Sequence, residues 1–223
     1  MTAPRVNSIA PLTSDPTRVR IRCGEAGVFV IDIDDLYPLG LCKGDELDEE
    51  TLETLQSASD RVAAYQSTLR LLSVRSRTER ELRDRLRMKR YPPHAVDHAL
   101  ARLERAGLID DRAAAESAVR SQLAARPTGP RLLEAKLRSR GVRGDVAGEV
   151  VAEALAGRDL AEDAERIARA HVRAVPPTLD RRGVERRVYA KLARRGYDSE
   201  LCARLASAVA KERETSNERS PDG

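Results

Sequence analysis

The feature that most constrains the fold is a pattern that occurs three times along the chain. In each copy an apolar residue is followed four positions later by a leucine, then by mostly basic residues, a helix terminator and a tyrosine or valine. The central leucines are Leu86, Leu137 and Leu192, so the period is 51 and then 55 residues. Such periods are typical of helical repeat arrays, in which each unit is stabilised by its neighbours. Three short helices fit each period, which predicts nine helices in three tandem units.

The predicted helix ends of the three copies follow one rule with one exception. Gly141 and Gly196 stand where a helix ends in a left-handed conformation, which glycine adopts without a steric penalty. Arg90 occupies this place in the first copy, which predicts local backbone strain unless that helix ends differently. Thr78 and Glu81 have the spacing of a capping box, so we expect the basic helix of the first copy to begin after Thr78.

The composition agrees with a mainly α chain. Hydrophobic residues make up 41% of the sequence but aromatic residues only 3%, and tryptophan is absent. A core of small aliphatic side chains suits thin helix–helix interfaces, so an all-β fold is disfavoured. The N-terminal region differs, because Arg18–Cys23 and Val28–Asp34 alternate around a glycine-containing loop and predict a β-hairpin. A short acidic helix is expected over about Asp48–Ser57, with Asp48 as its N-cap.

The expected architecture is therefore mainly α: an elongated array of three tandem three-helix repeats, with a small N-terminal β-hairpin plus a short acidic helix. The predicted segments are a disordered leader (1–17), the hairpin and acidic helix (18–58), helical repeats 1, 2 and 3 (59–109, 110–157 and 158–212) and a disordered tail (213–223). Two roles are considered for the N-terminal part. It either caps the repeat array or forms an autoinhibitory cover over a basic face.

The sequence contains no recognised catalytic or cofactor-binding motif. Neither a Walker P-loop, a G-x-G-x-x-G, an H-E-x-x-H nor a C-x-x-C pattern occurs. His94 and His98 are four residues apart on one predicted helix, but no third ligand is near in sequence, so we expect an exposed pair rather than a metal site. No apolar run reaches the roughly 18 residues that a membrane span needs. We therefore predict a non-enzymatic, cytoplasmic protein without cofactor, metal or membrane association.

Charge is distributed unevenly along the chain. Residues 32–60 carry ten acids and one lysine, whereas residues 61–211 carry 33 lysines and arginines against 20 acids. Two basic clusters fall on equivalent helices: the first, 70–90, has nine basic residues against three acids, and the second, 181–195, has seven against one. The candidate contact residues are Arg70, Arg77, Arg80, Arg83, Arg87, Lys89 and Arg90 in the first basic cluster, and Arg182, Arg186, Arg187, Lys191, Arg194 and Arg195 in the second.

The two basic clusters predict a surface for phosphate groups or for an acidic partner. The alternative is a solvated charged face in an arginine-rich proteome. Tyr91 and Tyr197 follow the two basic helices, so base stacking is conceivable. Since they align with Val142, we expect them mainly to fill helix junctions.

These motifs together resemble the RecX family of regulators of the RecA recombinase. The most specific stretches are Leu69–Leu82, Leu103–Asp111 and Gly129–Val142, and the resemblance covers about residues 62–208. It implies a non-enzymatic modulator, active in DNA repair, recombination and the SOS response. Such proteins bind in the groove of the RecA–single-stranded DNA filament and restrain filament growth, ATP hydrolysis, strand exchange and co-protease activity. The implied partners are RecA and single-stranded DNA, with double-stranded DNA left open, and the chain is expected to be a monomer.

The chain departs from the family pattern at a few positions. Ala113 and Ala114 stand where an aromatic residue is usual, and Arg90 replaces the usual glycine. Two other functions remain open at this point. One is a direct DNA-binding protein of the transcription-regulator kind, which places a basic helix of a three-helix unit in the major groove. The other is a protein scaffold without nucleic-acid contact.

Overall fold

The structure is a computed structural model that describes residues 3–218. It divides into two compact units, one up to Asp110 and one from Asp111 onward. Within the described residues, nine helices form three groups of three, which confirms the prediction of three-helix repeats, and a short tenth helix lies near the N-terminus. The helices are α1 Ile33–Leu36, α2 Glu49–Val74, α3 Glu79–Met88, α4 Pro93–Arg105, α5 Asp111–Ala125, α6 Pro130–Ser139, α7 Gly144–Leu155, α8 Leu160–Arg173, α9 Arg181–Arg194 and α10 Ser199–Glu218.

The N-terminal part is a three-stranded antiparallel sheet rather than a hairpin. Its strands are β1 Ser8–Leu12, β2 Asp15–Arg22 and β3 Val28–Asp32, in the order β1-β2-β3. The prediction of a disordered leader over residues 1–17 is therefore wrong for the described part of that segment, which contains β1 and the start of β2. Pro11 is compatible with this sheet because it lies in an edge strand, where proline is tolerated.

The predicted short acidic helix is the first part of a much longer helix. Helix α2 runs unbroken from Glu49 to Val74, so it also contains the first helix of repeat 1. Leu55, Ala58 and Val62 are all buried at helical spacing, which gives the two parts one continuous apolar stripe. No glycine or proline interrupts the segment, and the boundary predicted near residue 58 does not occur.

The C-terminal helix also extends beyond its prediction. Helix α10 continues to Glu218, whereas the sequence analysis predicts disorder over residues 213–223. Arg213 donates a hydrogen bond from Nη2 to the carbonyl oxygen of Pro176 at 2.8 Å, and Arg169 forms an ion pair with Glu212 at 3.0 Å. These contacts hold the added turns against the rest of the unit. Residues 219–223 of the predicted tail lie outside the described residues.

The recurring sequence pattern is explained by one type of helix end, the Schellman motif. After α3, the backbone N–H of Tyr91 donates to the oxygen of Leu86 at 3.2 Å, and that of Arg90 donates to the oxygen of Arg87 at 2.9 Å. The same pair of bonds closes α6 at Gly141 and α9 at Gly196. The residue after the terminator is apolar because it returns to the core beside the central leucine.

The core is divided into small aliphatic clusters, as the composition predicts. In the first unit, the sheet packs through Ile21, Phe29 and Ile31 on Leu55 and Ala58 of α2. A second cluster joins α3 and α4. In the second unit, one cluster lies among α5, α6 and α7, and another among α8, α9 and α10.

Ion pairs attach the sheet to the helices of the first unit. The carboxylate of Asp32 accepts from Nε of Arg18 at 3.1 Å and from Nη1 of Arg102 at 2.6 Å, and Arg102 lies 4.4 Å from the ring centroid of Tyr65. Asp35 pairs with Arg61 at 2.9 Å. These acids thus pair with arginines that lie outside the first basic cluster, which favours a capping role for the N-terminal part over an autoinhibitory cover.

Candidate nucleic-acid interface

Helix α3, which carries four of the nine basic residues of the first basic cluster, is set by strong local signals. The Oγ1 atom of Thr78 accepts from the backbone N–H of Glu81 at 3.2 Å, and the Glu81 carboxylate accepts from the N–H of Thr78 at 3.3 Å, so the predicted capping box is confirmed. Leu82 and Leu86 are fully buried. The remaining faces of this ten-residue helix are therefore free to carry charge.

Three predicted contact residues of the first basic cluster have partners within the protein. Arg77 is only 8% exposed and donates from Nε to the carbonyl oxygen of Leu71 at 3.2 Å, while burial lowers the pKa of its guanidinium. Arg83 forms ion pairs with Glu79, at 2.9 Å, and with Asp97. Lys89 donates to Oγ of Ser67 at 2.9 Å. The prediction that Arg77 belongs to a contact surface is corrected, because its side chain is an internal brace.

The other predicted residues of this cluster lie on the surface. Arg70, Arg80, Arg87 and Arg90 are exposed, and none of them has an ion pair within the described residues. Arg90 has a φ of 64°, which confirms the backbone strain that the sequence predicts at this position. Arg80 and Arg87 are seven residues apart and therefore share one face of α3.

Helix α9, which carries the second basic cluster, begins at a capping aspartate. The Oδ1 atom of Asp180 accepts from the N–H of Gly183 at 2.9 Å, and Val184, Val188 and Leu192 are buried along one stripe. In the part of the chain that the structure describes, Arg182, Arg186, Arg187 and Arg194 are exposed without an ion pair. These four arginines all lie on one helix, whereas of the exposed arginines predicted as contact residues in the first basic cluster only Arg80 and Arg87 lie on α3.

The other two predicted residues of the second basic cluster, Lys191 and Arg195, are half-buried, and their side chains have different neighbours. Arg195 donates from Nη1 to the carbonyl oxygen of Pro127 at 2.9 Å, so it braces the junction between repeats 2 and 3. Lys191 shares a face with Arg187 and Arg194, and all three lie near His171 of α8. Burial, and then these three cations, lower the pKa of His171. This side of α9 is strongly electropositive.

In the equivalent helix of repeat 2, the two arginines are paired with acids and the lysine is hydrogen-bonded. Arg131 of α6 pairs with Asp198 at 2.6 Å, Arg138 pairs with Glu134 at 3.2 Å, and Lys136 donates to Oε1 of Gln122. The contrast between α6 and α9 is one of charge pairing, because both helices bury an apolar residue and a leucine four positions apart.

The tyrosines after the basic helices are core residues, as the sequence analysis mainly expected. Tyr197 is 2% exposed, and burial raises its pKa to about 12. Tyr91 is half-buried against the α3–α4 cluster. The aromatic residue that sequence reasoning missed is Tyr189, which lies on α9 itself with 39% of its surface exposed. Its position could have been predicted from the sequence, because Tyr189 follows Arg182 by seven residues and Arg186 by three, which places all three on one face of a helix.

The described residues offer little for metal chemistry. His94 is exposed, and its Nε2 atom lies 3.1 Å from Oγ of Ser57. His98 is also exposed, and partial burial followed by the charges of Arg61 and Arg102 lowers its pKa. Among residues 3–218 no group of three or more histidine, cysteine or acidic side chains is placed to hold a metal ion. No helix in this range is both long and apolar enough to cross a bilayer.

Comparison with known proteins gives a consistent result. The family model described as the first three-helix domain of RecX matches residues 64–103, and the one described as the second three-helix domain matches residues 110–155. The regulatory protein RecX of Mycobacterium leprae is 39% identical over 150 residues, which is 66% of this chain and 85% of the relative.

Two solved structures resemble the fold described above. A crystal structure of regulatory protein RecX has a TM-score of 0.65 and 27% identity, and the match covers 89% of this chain and 96% of that one. The crystal structure of RecX from Lactobacillus salivarius has a TM-score of 0.56 and 20% identity, over 68% of this chain and 97% of that one, and supports the fold alone. From the sequence match to its relatives and the two domain matches, the chain belongs to the RecX family of regulatory proteins.

Proposed function

We propose that this chain is a non-enzymatic regulator of RecA that binds the RecA–DNA filament through the exposed arginines of α3 and α9. Membership of the RecX family supports a regulatory role. The observation that carries the binding surface is the group Arg182, Arg186, Arg187 and Arg194, exposed on one helix without acidic partners in the described residues. Unpaired guanidinium groups bind phosphate oxygens in bidentate geometry and release counterions from the nucleic acid.

The proposed binding restrains the filament. Bound in its groove, a protein that contacts both nucleic acid and recombinase opposes filament growth, and with it ATP hydrolysis, strand exchange and co-protease activity. Because RecA filaments form on cellular DNA, we also propose that the chain acts in the cytoplasm, as a monomer.

Charge removal with a matched control tests the binding surface. The variant Arg182→Ala/Arg186→Ala/Arg187→Ala removes three unpaired charges, and the control Arg138→Ala/Arg143→Ala/Arg166→Ala removes three exposed, paired ones. We expect the first variant to lose affinity for preformed RecA–single-stranded DNA filaments. The slope of log Kobs against log salt concentration should flatten by about 2, since single strands release about 0.7 counterion per contact.

The control variant should bind nearly as well as the unmodified chain. Circular dichroism and thermal unfolding establish that both variants are folded. Equal affinity of the two variants for filaments would remove α9 from the binding surface. Preference for one duplex sequence over a mismatched duplex of equal length, in the absence of RecA, would instead support a direct DNA-binding regulator.

A further inference from the structure

Helix α9 presents an exposed aromatic ring within its basic surface. Tyr189 is 39% exposed, whereas Tyr197 at the end of the same helix is buried. A helix turns about 100° per residue, so Arg182, Arg186 and Tyr189 fall within about 60° of one another on the solvent side. The ring and the two guanidinium groups therefore form one stripe.

A second basic stripe runs beside the first. It consists of Arg187, Lys191 and Arg194, which follow helical spacing and lie near His171 of the packed helix α8. Between the two stripes the helix carries only Gly183 and the small side chain of Ala190, and Ala193 lies within the first stripe. A flat group could thus lie across α9 without meeting a bulky side chain.

The acidic residue within the second basic cluster is paired with an arginine that lies outside both stripes. Glu185, the one acid of the second basic cluster, pairs with Arg181 at 3.4 Å. Arg181 also approaches Glu214 of α10 at 3.7 Å, on the flank away from Arg187 and Arg194. The stripes with Tyr189 consequently keep their positive charge, so that a ligand that supplies both phosphates and an aromatic face fits them.

We propose that Tyr189 is a base-stacking residue for single-stranded nucleic acid, with Arg182 and Arg186 beside the stacked base and Arg187, Lys191 and Arg194 along the phosphates. Single strands expose the faces of their bases, whereas a duplex stacks them on each other, so a ring on a basic helix selects the single strand. This inference rests on the proposed function and adds the form of nucleic acid that α9 recognises.

A tryptophan reporter tests the stacking directly, because the natural chain contains no tryptophan. In Tyr189→Trp, the indole fluorescence should be strongly quenched when an oligothymidylate binds. An abasic oligonucleotide of the same length carries the same phosphates without bases. When it binds, the indole fluorescence should remain close to that of the free protein. Tyr37→Trp is the control, since Tyr37 is 75% exposed but lies in the first unit, outside both basic clusters.

Affinity measurements on the full chain complete the test. Tyr189→Ala should weaken binding of oligothymidylate about 5- to 150-fold, which is the usual range for loss of one stacked base, and should change binding of the abasic strand little. Tyr189→Phe should recover most of the lost affinity, because the stacking face is retained.

Two results would overturn the stacking proposal. One is equal quenching of Tyr189→Trp by the oligothymidylate and the abasic strand, which would mean that only phosphates approach the ring. The other is an equal loss of affinity for both strands in Tyr189→Ala. In either case the filament-binding proposal stands if Arg182→Ala/Arg186→Ala/Arg187→Ala still weakens filament binding, so the two failures are distinguishable.

Discussion

Individual residues with unusual conformations or partners explain where the chain departs from its own repeat. Arg90 takes the left-handed conformation that Gly141 and Gly196 adopt at the same point of the other copies. For a residue with a Cβ atom this conformation costs about 1–2 kcal/mol. The first repeat is therefore strained at Arg90, and it carries an exposed cation there, at the end of its basic helix, where the other repeats have glycine.

Replacing Arg90 with glycine should relieve this strain. We expect Arg90→Gly to raise the free energy of unfolding by about 1 kcal/mol, since the same Schellman hydrogen bonds form without the steric penalty. Urea unfolding followed by circular dichroism measures the change. Arg90→Ala is the control, because it removes the charge but keeps the Cβ atom, and it should give no comparable gain. Equal stability of the glycine and alanine variants would contradict the explanation by backbone strain.

At the scale of elements, the second and third repeats are joined by direct backbone contact within the second unit. The N–H of Gly129 donates to the oxygen of Arg195 at 2.8 Å, and the N–H of Arg131 donates to the oxygen of Gly196 at 3.1 Å. The two backbone segments approach so closely that a Cβ atom on Gly129 would collide with the backbone of Gly196. Space alone requires glycine at position 129, where φ is −78°, whereas both space and a left-handed conformation require it at position 196.

Substitution at this junction should therefore be costly. Gly196→Ala places a methyl group against the backbone of Leu132, in addition to the left-handed φ of 84°. We expect it to lower the free energy of unfolding by about 3 kcal/mol or more. Gly157→Ala is a matched control, because Gly157 has a φ of 77° and no neighbouring atom within 4 Å. It should lose only about 1–2 kcal/mol. If thermal unfolding shows the same loss of stability in Gly196→Ala and Gly157→Ala, the close contact between Gly196 and Leu132 does not contribute to the cost.

The N-terminal sheet and the first repeat are joined by the carboxylate of Asp32. Arg18, which is 6% exposed, would lose one of its two acidic partners in Asp32→Ala, and Arg102 would lose its ion pair. We expect a loss of about 2 kcal/mol or more in the free energy of unfolding, measured by urea titration. Asp34→Ala is the control, since Asp34 is exposed nearby and makes no ion pair in the described residues. A gain in single-stranded DNA affinity without loss of stability in Asp32→Ala would favour the autoinhibitory cover instead.

At the scale of the whole molecule, the sequence predicted the repeat and its helix ends because both depend on local rules. The spacing of Leu86, Leu137 and Leu192 identifies the repeated helix, and the glycine at two of its ends identifies the left-handed terminator. The continuous helix α2 was missed because its two halves differ in charge while sharing one buried stripe. A change in charge along the chain therefore does not end a helix whose buried stripe continues through it.

The roles of individual arginines could be predicted only in part. Arg77 and Arg195 donate to the carbonyl oxygens of Leu71 and Pro127, and such partners depend on tertiary structure rather than on helical spacing. Arg182 and Arg186 lie on the solvent side of α9, where the periodicity of Val184, Val188 and Leu192 places them. Spacing thus predicts which face of a helix a residue occupies, but not whether a long side chain turns inward.

The central claim, that unpaired arginines on this chain act on a RecA filament, is most directly tested by RecA ATP hydrolysis on single-stranded DNA. The unmodified chain, added at substoichiometric amounts, is expected to reduce the rate of hydrolysis. Arg182→Ala/Arg186→Ala/Arg187→Ala should require a much higher concentration for the same effect, and Arg138→Ala/Arg143→Ala/Arg166→Ala should act like the unmodified chain. An unchanged rate with the unmodified chain, or equal potency of both variants, would contradict the account.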